Sequence, residues 1–404
     1  MKHNLKLNHF LFLAPLLIML AIFSLYPIIT SFVYSFFDYR TTNQQFNELR
    51  LGSALNGDLL AENASYVGFY LNDDYDLVDA EGQAVFDRVT EESDRIAEQY
   101  AGVTDISAAD EEAIRAYIVD ARQSIDAVYS RFPDEDFWRQ SDLKAIFAGM
   151  ERVFIESNYV GLEHYQRLLK DTRFFKDLGH TAFFTVMTVS LELILGMGLA
   201  LIMNKAMRGI GLVRTAALIP WAIPTAVSAL MWQYLYDGRS GIVANFFAAI
   251  GLIGSPEQML STSGGAMTAA IIADVWKTTP YMALLLLAGL QIIDRGLYES
   301  AAVDGSGAVH QFFHITLPLM KPSILVALLF RTLDAFRVYD LIAVLTGGGP
   351  GGSTETLSIY SYKVMIEQSN YGYGSAIVVG MFVFVAIIAT VFIKFLGADL
   401  LSDS

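Results

Sequence analysis

The feature that most constrains this chain is a set of apolar runs, each long enough to cross a bilayer. The first is "HFLFLAPLLIMLAIFSLYPIITSFVYSFF", residues 9–37, and five more occupy roughly 178–203, 212–236, 267–293, 322–345 and 375–396. At 1.5 Å rise per residue, about 20 residues span a hydrocarbon layer of ~30 Å. Lipid offers no partner to an unpaired peptide group, so such runs must be helical. The expected fold class is therefore an all-α integral membrane protein of about six transmembrane helices. Lys2 and Lys6 ahead of the first run would also suit a signal peptide. Its apolar core is too long for that and no small-x-small site follows, so a retained span is expected, with Pro15 and Pro27 as tolerated kinks.

Charge is distributed unevenly. The chain of 404 residues carries a net charge of −15, yet residues 41–170 hold 26 acidic and 11 basic side chains while the remainder holds 16 of each. The acidity belongs to one segment between the first and second spans. Within it, "GQAVFDRVTEESDRIAEQY" and "SAADEEAIRAYIVDARQSIDAVYSRF" have the apolar period of amphipathic helices. Ser107 is a candidate N-cap for the second, with Asp110 three residues on, and Pro133 closes it. A solvated helical insertion is the favoured reading over a ligand-binding domain. Three regions follow: an N-terminal span (1–40), an acidic insertion (41–158) and a five-helix region (159–404).

Short-loop lysines and arginines give the orientation. With a cytoplasmic N-terminus, inner segments carry Lys2, Lys6, Lys205, Arg208, Arg295, Lys321 and Lys394, against Arg239 and Lys363 outside. Both termini are then expected inside, with the insertion and the Gly/Pro-rich loop "TGGGPGGST" outside. The chain has no cysteine, which excludes thiolate metal sites and thiol nucleophiles. A scan for GxxxxGK[ST] finds no phosphate-binding loop.

One stretch interrupts the apolar pattern: "YESAAVDGSGAVHQFFHITLPLMKP", residues 298–322. Asp294 can cap a short helix, "RGLYESAAV", that ends at Asp304-Gly305, where glycine permits a left-handed reversal. Ser306 can start a second segment, and Leu317-Pro318 is expected to end it. The product is a helix–turn–helix knob on the inner face of the membrane. His310 and His314 have the spacing of half a zinc site. No third ligand lies nearby, so surface histidines are expected and no metal.

This stretch resembles the EAA loop in the permease subunits of ABC importers, and its "ITLP" ending is similar to the carbohydrate-uptake branch. "YVGLEHYQRLLKDTRFFKDLGHTAFFTV", "LIPWAIPTAVSALMWQYLYDGRSGIVAN" and "FRTLDAFRVYDLIAVLTGGGP" are also similar to sugar permeases. The likeness covers about residues 1–40 and 159–404. The insertion resembles the enlarged external loop of maltose-type permeases in position only. The resemblance implies the type I importer permease fold and a coupling loop at 294–318 that docks an ATPase subunit. Glu299, Ser300, Ala301, Ala302, Asp304, Gly305, Leu317 and Pro318 fall on its motif, with Ser300 and Ser306 standing where alanine is commonest.

It further implies a sugar-importing permease subunit in the bacterial-type inner membrane, with no ATPase site or cofactor of its own. ATP and Mg would bind two partner ATPase subunits, and a second, related permease and an external solute-binding protein would complete the assembly. No nucleic-acid partner is expected. An ABC permease for glycerol phosphate, amino acids or peptides is the nearest alternative, and an ion-driven carrier acting alone a more distant one.

Charged side chains inside spans are expensive and mark bundle interiors or pathways. Asp274 and Lys277 lie three apart, and Arg331, Asp334, Arg337 and Asp340 recur every three residues, which on one helix makes a slanted stripe of alternating sign. Pairing between spans and pathway lining both fit that stripe. Trp221, Trp232, Tyr234, Trp276, Tyr281, Phe336 and Tyr339 are the candidate aromatic faces for sugar, with Tyr281 and Tyr339 the best placed for a cavity. Pro220 and Pro224 mark a kink or break in the third span. Glu192 has no evident partner in the sequence and is expected to face the companion permease.

Overall fold

The computed structural model describes residues 7–42, 46–133, 135–205 and 208–402. Lys2 and Lys6 of the charge count lie outside them. The chain divides into two units, Met1–Phe36 with Leu162–Ser404 and, separately, Phe37–Gly161.

The N-terminal span is α1 (Leu7–Leu20), a π-helical turn (Ala21–Leu25) and α2 (Tyr26–Tyr34). The wide turn, in which the Tyr26 N–H reaches back to the Ala21 carbonyl, makes room for the ring of Pro27 at the start of α2.

The insertion unit is a helical body closed at its base by a short antiparallel pair, β1 (Ala54–Leu55) with β2 (Phe154–Ile155). Between these strands lie α3 (Gly57–Asp73), α4 (Ala80–Tyr100), α5 (Ala108–Arg131) and α6 (Gln140–Met150). Leu60, Val67 and Leu71 of α3 face Phe86 and Val89 of α4, Ile114, Ile118 and Ile125 of α5, and Phe147 of α6. Ser107 and Asp110 form a reciprocal capping box at the start of α5. Buried Asp74 accepts from the Tyr129 hydroxyl at 2.8 Å and from the Trp138 and Arg139 N–H groups, fixing the α5–α6 connection to the end of α3.

The larger unit continues through α7 (Glu163–Lys170), α8 (Thr172–Met203), α9 (Ile210–Ala222), α10 (Thr225–Leu235), α11 (Ile242–Ala249) and α12 (Gln258–Ser261). Then come α13 (Ser263–Leu290), α14 (Arg295–Val303), α15 (Ala308–Gln311) and α16 (Leu317–Leu319). The last elements are α17 (Lys321–Phe336), α18 (Asp340–Leu345), α19 (Leu357–Tyr362) and α20 (Tyr371–Ser402).

Among the described residues, four helical stretches meet the length and apolarity of a span: Leu13–Tyr34, Thr172–Met203, Ser263–Leu290 and Tyr371–Phe395. Two bent pairs, Ile210–Ala222 with Thr225–Leu235 (88°) and Ala308–Leu319 with Lys321–Phe336 (68°), raise the number to six. Leu16, Phe23 and Ile28 of the first span and Phe382, Ile387 and Ile393 of the last stand exposed, as lipid-facing side chains should.

α13 is the central element and packs along α8. A Cβ at Gly196 would come within 2.9 Å of Met282, so only glycine allows the two helices to approach this closely.

Two expectations are corrected. The fifth span does not run unbroken to 345: α17 ends at Phe336 and α18 begins at Asp340. The stripe of alternating charge therefore holds only for Arg331 and Asp334, while Arg337 and Asp340 flank the break. Nor does Pro318 end the second loop segment. A π-helical stretch, Phe312–Thr316, absorbs the proline, and the chain bends later, between Leu319 and Lys321.

Candidate functional site

Two breaks shape the interior. Pro224 has no N–H, and Ile223 is extended, with φ −72° and ψ 132°. α9 therefore stops at Ala222, and α10 leaves at 88°. In the second break, Arg337 caps the C-terminus of α17 and Asp340 opens α18, each charge matching the helix end it sits on. Arg337 donates through Nε to the Leu333 carbonyl at 3.0 Å.

These breaks, with α13, enclose a cavity of about 510 Å³. Asp274, Lys277, Arg331, Asp334, Arg337, Tyr339 and Asp340 all line it, joined by Trp221, Thr225 and Thr278. Tyr281 stands behind this wall, its ring stacked on Trp221 with centroids 5.6 Å apart. Phe336 points elsewhere, buried with Phe174, Leu357, Tyr360 and Tyr373. The structure thus gathers six charged candidates and two aromatics around one space, and sends Phe336 into packing.

The cavity's inner wall is an ion cluster tying three helices. Arg331 is 1% exposed, Glu192 is fully buried and Asp274 is 6% exposed. The Arg331 guanidinium reaches Glu192 with Nε at 2.5 Å and Nη2 at 2.9 Å, bonds Asp274 through Nη2, and touches Asp334 through Nη1 at 3.2 Å. The Thr278 hydroxyl sits 2.6 Å from both Glu192 Oε1 and the Asp274 carbonyl. Lys277 is committed differently, its Nζ donating to the Ile223 carbonyl at 2.6 Å. The expectation for Glu192 is corrected: its partner is Arg331 within the same chain. Thr278 is a further member that sequence reasoning left out of the site, while Trp221 was among its aromatic candidates. A glutamate in an otherwise apolar span demands a buried counter-charge, which was the available signal for the Glu192–Arg331 pair.

With Arg331 and Lys277 bonded inside the wall, Asp334 and Asp340 remain the exposed carboxylates of the cavity and Arg337 its exposed cation. Such a surface offers acceptors and donors to hydroxyl groups, beside an aromatic pair. Its volume is that of an ordinary small-molecule site.

The second candidate site is the helix–turn–helix loop. Asp294 caps α14 by accepting from the Gly296 N–H at 2.9 Å. Gly305 adopts φ +83°, and the Ser306 N–H returns to the Ala301 carbonyl at 2.9 Å, closing the helix end. Gln311 Nε2 donates to the Ser306 carbonyl at 3.1 Å, and the Tyr298 and Thr316 hydroxyls share a bond of 2.9 Å, locking the two arms together. Glu299, Ser300, Ala302, Asp304, Gly305, Leu317 and Pro318 are exposed and Ala301 is half-buried. Val303 at 88% and Val309 at 72% exposure add apolar surface to the knob. The His310 and His314 rings stack with centroids 3.8 Å apart.

The model of the family described as binding-protein-dependent transport system inner membrane component matches residues 192–400. The trehalose/maltose transport system permease protein MalF of Thermococcus litoralis is 46% identical over 239 residues, 59% of this chain and 80% of that protein. The trehalose transport system permease protein SugA of Mycobacterium tuberculosis is 42% identical over 243 residues, 60% of this chain and 76% of that one. Among solved structures, a chain of a bacterial alginate ABC transporter, in complex with an alginate pentasaccharide-bound periplasmic protein, is similar in fold. The TM-score is 0.51 at 22% identity, covering 71% of this chain and 94% of that one.

Proposed function

The chain belongs to the family of binding-protein-dependent transport system inner membrane components, and from that membership we propose that it is the sugar-importing permease subunit of an ABC transporter. The observation that carries the cargo is the 46% identity to a trehalose/maltose permease. The cavity supports a pathway for it. Asp334, Asp340, Arg337 and Tyr339 are the groups offered to sugar hydroxyls, and the Trp221–Tyr281 pair gives the wall its aromatic rigidity. Asp274, Lys277 and Arg331 hold that wall in shape.

The knob is the contact for an ATPase subunit, with Glu299, Ala301, Ala302, Asp304 and Gly305 at its tip, Ser300 beside them and Leu317-Pro318 at its base. Small side chains there allow close approach, and the internal bonds of the knob let it transmit a push without deforming. ATP and Mg bind on the partner subunits, two of them, and a second permease completes the pore. Both termini lie in the cytoplasm, and the insertion at 41–158 lies outside, where a solute-binding protein delivers sugar. Closure of the ATPases drives the knob and rocks the spans between outward and inward access.

Reconstitution with the companion permease, ATPases and binding protein tests this. ATP-dependent accumulation of trehalose or maltose is expected, with ATPase activity stimulated by the loaded binding protein. Uptake driven by an ion gradient without the ATPase subunits would overturn the proposal.

A further inference from the structure

The break between α9 and α10 has a cation built into it. Because the chain turns extended at Ile223 and Pro224 brings no N–H, the last carbonyls of α9 lose their helical donors. Those carbonyls also form the negative end of the α9 dipole. Lys277, only 6% exposed on α13, meets this end: its Nζ lies 3.4 Å from the Trp221 carbonyl of α9 and 2.6 Å from the carbonyl of Ile223, the extended residue that follows the helix. One turn farther along α13, Tyr281 stacks on Trp221 at an interplanar angle of 13°. Two side chains of one rigid helix therefore grip the final turn of α9. The same lysine lines the cavity, so the bend and the cavity wall are held by one ammonium.

We propose that Lys277 is a positioning residue for transport: it fixes the right-angle bend of the third span and thereby the shape of the translocation cavity. This rests on the transport reading for its functional half and on geometry alone for its structural half. The alternative, an ammonium reserved for substrate, takes from the Trp221 and Ile223 carbonyls the donor they have here.

The chain has no cysteine, so spin labels can be placed at will. Leu212→Cys and Leu230→Cys sit on exposed faces of α9 and α10, at 79% and 56% exposure. At 1.5 Å per residue, a right-angle bend at Ile223 puts these positions about 20 Å apart, and a straightened helix about 27 Å apart. In the reconstituted full complex, the parent is expected to show the short distance. Lys277→Met is expected to shift the distribution several ångströms longer and to lower the maximal rate of trehalose or maltose uptake at least tenfold. Its subunit assembly should be unchanged. Lys277→Arg, which keeps donors and charge, is expected to restore the short distance and most of the rate. An unchanged distance in Lys277→Met would overturn the proposal, and so would a lengthened distance with undiminished uptake. If the parent itself accumulates neither sugar, the cargo assignment fails, while the label distances still decide whether Lys277 sets the bend.

Discussion

Replacing Arg331 with methionine removes the guanidinium that holds α8, α13 and α17 together. Its carbon stem is roughly matched in volume, so the loss is chiefly electrostatic. Two carboxylates then face each other without the guanidinium that both bonded, Glu192 fully buried and Asp274 at 6% exposure. Removing one partner from a buried ion pair costs about 3–5 kcal/mol. The third contact adds little, since Asp334 has 64% of its side chain exposed and such pairs contribute about 0–1 kcal/mol. At roughly 2 °C per kcal/mol for a body of this size, the apparent melting temperature should fall by about 6–10 °C. The assay is loss of the monodisperse peak after heating the detergent-purified chain. A triple variant, Arg331→Met with Glu192→Gln and Asp274→Asn, removes the charges together and should recover most of the loss, because neutral groups need no counter-ion. A single variant that melts within 2 °C of the parent, or a triple variant that melts below the single one, refutes the account of this cluster.

Glu299→Lys combined with Gly305→Val reverses a charge on the knob and places a β-branched residue at φ +83°. ATP-dependent uptake is expected to fall at least tenfold and ATPase subunits to co-purify poorly, while an undiminished yield of complex and uptake would refute the docking role. Ser107→Ala removes the cap of α5 and should cost about 1 kcal/mol, read as faster hydrogen exchange in the first turn of that helix. The Ser107 hydroxyl also holds the Asp110 carboxyl below its ordinary range. That contribution is complete above the unfolded carboxylate pKa and is lost as pH falls through the lower folded value. Exchange protection of α5, corrected for intrinsic rates, should therefore weaken below about pH 4, and less so in Ser107→Ala. Asp334→Asn with Asp340→Asn should raise the half-saturating sugar concentration severalfold with assembly intact, as measured by uptake titration.

How much of this was legible in the sequence follows from distance along the chain. The first arm of the knob and its reversal could be read in advance because their determinants are local: an aspartate cap two residues from its donor and a glycine at the reversal. The same holds for α4 and α5, whose apolar period and capping box lie in single stretches. By contrast, Glu192 meets Arg331 across 139 residues, and no spacing rule reaches that far. The break after Phe336 was hidden for another reason. Residues 337–339 contain neither glycine nor proline, and a charge every three residues reads as one continuous helix. Only tertiary packing, with Val338 and Tyr339 against the α10–α13 cluster, overrides it.

The positions of charge and of helix breakage in the spans are one fact, not two. A broken helix in lipid exposes carbonyls at one end and N–H groups at the other, and each end must find a partner of opposite sign or a polar space. At the α9–α10 break the partner is the Lys277 ammonium. At the α17–α18 break it is Arg337 on the carbonyl end and Asp340 on the N–H end. Conversely, each of these charges would be too costly in an unbroken apolar helix, and the break gives it a dipole to neutralise. Both breaks open on the same 510 Å³ cavity, so the polar lining that a hydroxyl-bearing cargo needs comes from the same residues that make the breaks tolerable. A variant that straightened either break with its charge left in place should therefore lose stability and transport together, whereas removing charge and break jointly should recover stability alone.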